Sequence, residues 1–296
     1  NLPQLENGLR LFEGIYGFIY ESLSNEKNTQ QLSVLLEKVA GLMKAKHLGL
    51  ASKAVKTVSE MSFYASKKEL KQFKDLILPI MTVTLNCFSE GKENELKICC
   101  RAIIEMSTDQ ASFLFKSHFT DLFILMGKVS EKKDFDDENL RELGFEVIVN
   151  LVEVKTTFLS ADTDKLKVLV EALFKYALGM EPEVTDDWAT PTQDSYFDEE
   201  FIYEKEVSAA VSFLERLIDS IGSEKLLPML SEFIAKLLEN TSDWRFKYVG
   251  IMSYKHLITH VDDMVTVDSI FPVVFENVSN QNAKIRYACL ATIEEL

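Results

Sequence analysis

The chain has 296 residues, 47 of them acidic and 32 basic, giving a formal net charge of −15 at pH 7 and an isoelectric point near 4.8. Nucleic-acid binders gain affinity from Lys and Arg that displace counterions, and anionic membranes repel acidic proteins, so this balance excludes both and points to basic partners. A hydrophobic fraction of 47% excludes global disorder, and the scarcity of Gly (11) and Pro (6) excludes the many tight turns of a β-sandwich or barrel.

Apolar residues recur at three- and four-residue spacing almost throughout, with no sustained period of two, which predicts helices. Leu32, Leu35, Leu36, Val39, Leu42 and Met43 mark one amphipathic helix, and Val55, Val58, Met61 and Phe63 the next. Further helices are predicted at about 68–89, 94–109, 111–129, 138–158, 162–179, 204–221, 224–239, 244–259, 264–278 and 283–296. The gaps between them are short and polar, so consecutive helices are expected to fold back on one another. The predicted class is all-α. The longest run without charge, Leu76 to Ser89, is too short to span a bilayer, and no signal peptide is visible. The chain begins at Asn1 and stops inside an apolar-periodic stretch, as expected of the central piece of a longer protein.

A basic residue recurs early in the second helix of each pair. Arg10, Lys53, Lys97 and Arg141 are 43, 44 and 44 residues apart, and Lys247 and Arg286 are 39 apart. Asn94, Asn139, Asp243 and Asn282 stand where they would cap these helices. A helix-pair period of about 40–44 is the signature of HEAT or armadillo repeats, whose units bury their apolar faces by stacking into a solenoid. We expect one HEAT-repeat array over 1–296, about six repeats with partial ends. The periodic cations would join a ladder of hydrogen bonds within and between repeats. Asp243 would cap its helix while Trp244 packs between repeats.

One stretch breaks the register. Arg141 to Lys247 spans 106 residues, some 20 more than two repeats need, and the surplus is an insertion at about 181–203. Pro182 and Pro191 forbid a continuous helix there. Between 181 and 206 stand ten acids and one base, so −9 of the total −15 sits in 26 residues, together with Trp188, Tyr196, Phe197, Phe201 and Tyr203. Aromatics among carboxylates suit a Lys/Arg-rich partner segment, although a passive, self-repelling surface loop has the same composition.

Glu146, Asn150 and Glu153 fall at i, i+4 and i+7, and Glu215 and Asp219 at i, i+4, each set on one face of a second helix. Second helices generally line the concave side of a solenoid, so these residues are possible cargo contacts; solvated helix faces look alike. His256 and His260 have metal-compatible spacing but no convincing third ligand, and a structural role is expected. No Gly-rich phosphate loop, nucleophile elbow or Cys/His signature is present, so no cofactor, metal site or enzymatic activity is expected. Cys87, Cys99, Cys100 and Cys289 show no paired spacing and read as free, buried thiols.

Ser242-Asp-Trp-Arg-Phe-Lys-Tyr-Val-Gly-Ile-Met-Ser253 resembles the Asp-Trp-(Arg/Lys)-Tyr-(Arg/Lys) helix of the karyopherin-β (importin-β) family. Lys225-Leu-Leu-Pro-Met-Leu230 before it and Lys284-Ile-Arg-Tyr-Ala-Cys289 after it resemble the family's flanking helices. Leu143 to Glu153, His118 to Leu122 and the Asp186-Asp187-Trp188 opening of the insertion are similar to the importin beta-three branch. The likeness runs from about residue 66 to 296. Thr241-Ser242 stands where family members often carry Asn-Pro, and the insertion mixes Thr, Gln, Ser and Pro among its acids.

The resemblance implies a monomeric nuclear transport receptor that shuttles between cytoplasm and nucleus. It would bind basic import signals of cargo, answer to the GTP form of the small GTPase Ran, and dock on Phe-Gly nucleoporins. Asp186, Asp187 and Trp188 match the start of the family's acidic loop, and with Asp198, Glu199 and Glu200 would contact Ran or cargo. The alternative is a HEAT-repeat scaffold subunit of a non-transport complex.

Overall fold

The computed structural model describes residues 2–22, 28–108, 110–180, 204–258 and 264–295. Among these residues the secondary structure is helical, with no strand. The chain divides into two compact units, Asn1–Phe158 and Leu159–Leu296.

In the first unit α1 (Leu2–Ser22) is followed by α2 (Asn28–Met43) and α3 (Leu48–Tyr64). The short α4 (Lys67–Leu70) and a 3₁₀ turn (Lys71–Leu76) lead into α5 (Ile77–Ser89) and α6 (Glu93–Met106). A second 3₁₀ turn (Ser112–Phe115), α7 (Phe119–Glu131), α8 (Asn139–Val154) and a last 3₁₀ turn (Thr156–Phe158) complete the unit. The pairs are α2/α3, α5/α6 and α7/α8, and the second helices stack in series: α1 on α3, α3 on α6, α6 on α8. This is the HEAT arrangement that the 43- and 44-residue spacing predicts.

The sequence explains the stacking. In α6, Leu96, Cys99, Cys100, Ile103 and Met106 recur at i, i+3, i+4, i+7 and i+10 and are buried. Each such side chain removed from water contributes roughly 1.5–3 kcal/mol. α3 has helices on both sides and buries small polar residues along with Val55, Val58 and Met61. Those hydroxyls bond within the helix: Ser52 Oγ to the Gly49 carbonyl at 3.2 Å, Thr57 Oγ1 to Lys53 at 2.9 Å, Ser62 Oγ to Ser59 at 2.7 Å. They need no outside partner, so neighbours can approach closely. α7 and α8 meet at Gly144, where an added Cβ would lie 2.9 Å from the Met126 carbonyl oxygen.

The second unit holds α9 (Thr163–Ala177), α10 (Lys205–Ile221), α11 (Ser223–Glu239), α12 (Trp244–Ile258), α13 (Met264–Asn277) and α14 (Ala283–Glu295). Its pairs are α9/α10, α11/α12 and α13/α14, with α12 lying between α10 and α14. Gly222 alone joins α10 to α11 at φ +104°, a conformation open to glycine at little cost.

The periodic cations form the expected ladder. Lys97 pairs with Asp137 of the next repeat, and Lys247 Nζ donates to Asn277 Oδ1 of the next repeat at 3.1 Å. Arg141 Nε donates to the Ser130 carbonyl at 3.0 Å, and Arg286 Nη1 to the Asn280 carbonyl at 2.8 Å, both within their own pair. Trp244 lies 5.9 Å from Tyr248, and the Lys284 ammonium of the next repeat sits 5.5 Å from the Trp244 ring. All four cysteines are free and buried. Burial pushes Cys100 up to about 12 and Cys289 to about 11; Cys99 is raised by its hydrogen bond with Cys87 and by burial.

Several expectations need correction. The stretch 68–89 is not one helix, because Pro79 has no N–H for the Asp75 carbonyl and its ring would clash there. The helix restarts at Ile77, which places Pro79 in the first turn, where no intrahelical donor is needed. The stretch 111–129 is likewise divided, with Lys116 and Ser117 exposed at the break. Asn282 caps α14 through the Lys284 N–H at 2.9 Å, and Asp243 accepts from the Arg245 N–H at 2.9 Å, as expected. Asn94 lies inside α6, and Asn139 is itself capped, its N–H bonded to Asp137 Oδ1 at 3.1 Å. Phe63 is 75% exposed rather than part of the apolar face, and stands edge-on to Tyr64.

Candidate functional site

The second helices carry the side chains with binding chemistry. α8 is held between α6 and α7 by Leu140, Phe145, Ile148, Val149 and Val152, all buried. Glu146 and Asn150 remain half-buried on it and Glu153 exposed, so the sequence-predicted stripe is intact on one helix face. The Asn150 Oδ1 atom is buried and accepts no hydrogen bond among the described residues. Carboxylates flank Asn150 on this face, Glu146 four residues before it and Glu153 three residues after.

In the second unit Glu215 is half-buried and Asp219 exposed on α10. Glu215 Oε1 lies 2.8 Å from His256 Nδ1 on α12. That contact engages His256 in a cross-helix pair; His260 lies outside the described residues. Among the described residues no group of three His, Cys, Asp or Glu is placed to hold a metal ion, and no helix is long and apolar enough to cross a membrane.

Asp186, Asp187, Trp188, Asp198, Glu199 and Glu200 lie outside the described residues, but both flanks of their segment are placed. Arg245 Nη1 donates to the carbonyl of Met180 at 3.0 Å, while its Nη2 and Nε hold Asp243 at 2.6 and 2.8 Å. Arg245 beside Asp243 holds that carboxyl below its usual value of 3.8. At the other flank Glu204 pairs with Lys284, whose side chain is 5% exposed. The first turns of two successive second helices, α12 and α14, thus fasten the residues on either side of 181–203.

Two features escaped the sequence. One is a cavity of about 670 Å³ between the end of α2 and the exposed face of α5, lined by Met43, Ala45, Leu48, Leu78, Pro79 and Thr82 among others. The alternation of exposed and buried apolar residues on α5 hinted at it: Leu78 and Leu85 are 58% and 45% exposed. The other is a cationic cavity where α1, α3 and α6 meet, lined by Arg10, Lys53, Lys56 and Arg101. Arg10 and Lys53 were visible as periodic cations, but Lys56 and Arg101 carry no periodic signal.

No protein-family model matches the sequence. Solved structures of Kap121p are similar to the chain: one is Kap121p itself, one is Kap121p bound to Nup53p, and one is Kap121p bound to Pho4p. Each matches with a TM-score of 0.79 at 16% sequence identity over 97% of this chain. The chain spans only 27% of the length of Kap121p. A further structure shows Kap121p, named there a karyopherin, bound to the extreme C-terminus of the phosphatase Cdc14p, again with a TM-score of 0.79. The chain therefore has the HEAT-repeat α-solenoid fold of a segment of the karyopherin Kap121p.

Proposed function

We propose that the chain is part of a nuclear transport receptor that binds basic segments of cargo along its second helices. The observation that carries this reading is the stripe of Glu146, Asn150 and Glu153 along one face of α8, its two carboxylates half-buried and exposed. Lys or Arg side chains of an extended peptide would form charge-assisted hydrogen bonds with these two carboxylates. Glu215 and Asp219 extend the same chemistry on α10. Binding, not catalysis, is the activity. The fold shared with Kap121p, which is bound to several other proteins in its solved structures, supports the reading.

The acidic segment, through Asp186, Asp187, Trp188, Asp198, Glu199 and Glu200, contacts Ran-GTP or cargo, and Ran-GTP competes with cargo. The chain is one HEAT array, and the receptor shuttles between cytoplasm and nucleus. Phe-Gly repeats of nucleoporins insert a ring into the cavity between α2 and α5. First helices elsewhere also expose single apolar residues: Ile124 on α7, Val168 on α9 and Phe275 on α13.

Fluorescence anisotropy with a labelled Lys-rich peptide tests the α8 stripe. Glu146→Gln with Glu153→Gln should weaken binding about tenfold, as expected for losing two charge-assisted hydrogen bonds. An unchanged Kd would remove α8 from the binding face. A scaffold subunit of a non-transport complex is the alternative, and would hold its partner irrespective of Ran.

A further inference from the structure

We propose a second docking groove of opposite sign: the cavity where α1, α3 and α6 meet binds an acidic peptide segment of a partner protein. The cavity measures about 370 Å³, within the roughly 300–1,000 Å³ range of side-chain and small-ligand pockets. Arg10, Lys53, Lys56 and Arg101 line it against a single carboxylate, Glu105, a net charge of +3 on a chain whose total is −15. Glu105 is itself engaged, accepting from Ser59 Oγ at 2.5 Å.

Two of these cations stand at the phase of the repeat ladder. At the same phase Lys97, Arg141, Lys247 and Arg286 bond acceptors of their own or the next repeat. Arg10 and Lys53, their counterparts in the first two repeats, border the cavity together with Lys56 and Arg101. Arg10 and Arg101 are exposed and Lys53 and Lys56 half-buried, so the positive rim is open to solvent. Two guanidinium forks suit carboxylates, which they bind in bidentate fashion.

The apolar lining selects a peptide over a polynucleotide. Ile98 and Ala102 stand one turn apart on α6 and form an apolar strip beside Arg101. A peptide with Asp or Glu flanking one aliphatic or aromatic residue satisfies both parts of this lining. A polyanionic strand would meet only four cations and the repulsion of the rest of the chain. This groove goes beyond the reading of basic cargo, because its ligand carries the opposite charge and its residues belong to other helices than α8 and α10.

The test is anisotropy with a fluorescein-labelled peptide of four Glu around one Leu, titrated with the intact chain. Arg101→Glu and Lys56→Glu should each weaken binding at least tenfold, Arg101→Lys should stay within threefold, and affinity should fall with added salt. Binding of a Lys-rich peptide to Arg101→Glu should change less than twofold, and circular dichroism should show unaltered helix content. The proposal is overturned if neither charge reversal changes the Kd, or if a 20-nucleotide single strand displaces the peptide at equal concentration. It is also overturned if neutralising Asp186, Asp187, Asp198, Glu199 and Glu200 tightens peptide binding more than tenfold, because the occupant would then be the chain's own acidic segment.

Discussion

The Arg245 guanidinium donates to the Met180 carbonyl at 3.0 Å across 65 positions of sequence. Lys284 does the equivalent for Glu204 across 80. These are the residues immediately before and after 181–203, so both flanks of that segment are held by the first turns of α12 and α14.

The Lys284–Glu204 pair should therefore matter to stability. Lys284 is almost fully buried and also faces the Trp244 ring. Lys284→Met leaves the Glu204 carboxylate without its partner, and breaking such a pair costs about 3 kcal/mol. Urea unfolding of the variant should show a lower midpoint, and Glu204→Gln, which keeps a polar partner for the ammonium, should show a smaller loss.

The contact between α7 and α8 should be equally sensitive. Gly144→Ala drives a methyl to 2.9 Å from the Met126 carbonyl oxygen and 3.1 Å from the Ser130 nitrogen. The overpacking should cost about 1–3 kcal/mol despite the better helix propensity of Ala. Gly127→Ala is the control: its added Cβ meets nothing within 4 Å, and propensity alone should stabilise by about 0.5–1 kcal/mol. Thermal unfolding of the pair should move in opposite directions.

The ladder predicts a pH dependence. The Lys97 ammonium, with help from Asn139, holds Asp137 below its ordinary 3.8. A carboxyl whose folded pKa is depressed contributes stability that is present above the unfolded value and lost as pH falls through the folded one. Asp137→Asn should lower stability at pH 5 and make the further loss between pH 4 and pH 2 shallower. Urea titrations at these pH values check both limbs; parallel acid limbs for the two proteins would show that the pair contributes nothing.

The cavity between α2 and α5 gives a separate functional prediction. Leu78→Asp places a charge on its exposed apolar lining, where a buried aromatic ring would have to desolvate it. Binding of a Phe-Gly repeat peptide, followed by chemical-shift changes or calorimetry, should weaken about tenfold, while Lys-rich peptide binding stays unchanged.

Much of this architecture was legible from residue spacing. Arg10, Lys53, Lys97 and Arg141 mark successive second helices because each repeat sets its cation at the same height of the stack, and Lys97, Arg141, Lys247 and Arg286 make the expected bonds. The breaks at Lys71–Leu76 and Ser112–Phe115 were missed because apolar periodicity continues through a 3₁₀ turn. Pro79 was the available signal for the first. Asn94 and Asn139 misled because the residue type is right for a cap, while the backbone turn begins one or two residues away. The groove lined by Lys56 and Arg101 was illegible for another reason: it is assembled from three helices, and no spacing along one chain segment reports which cations three helices bring together. Spacing places Glu215 on one face with Asp219, whereas its contact with His256, 41 residues on, exists only once the two helices are folded side by side.

The central claim, that the protein is a transport receptor, is tested most directly with the full-length protein carrying a bound Lys-rich cargo peptide. Ran loaded with GTP is titrated in and peptide release followed by anisotropy, with Ran loaded with GDP in parallel. The account predicts release by the GTP form and retention with the GDP form; retention of the peptide at saturating Ran-GTP would contradict it.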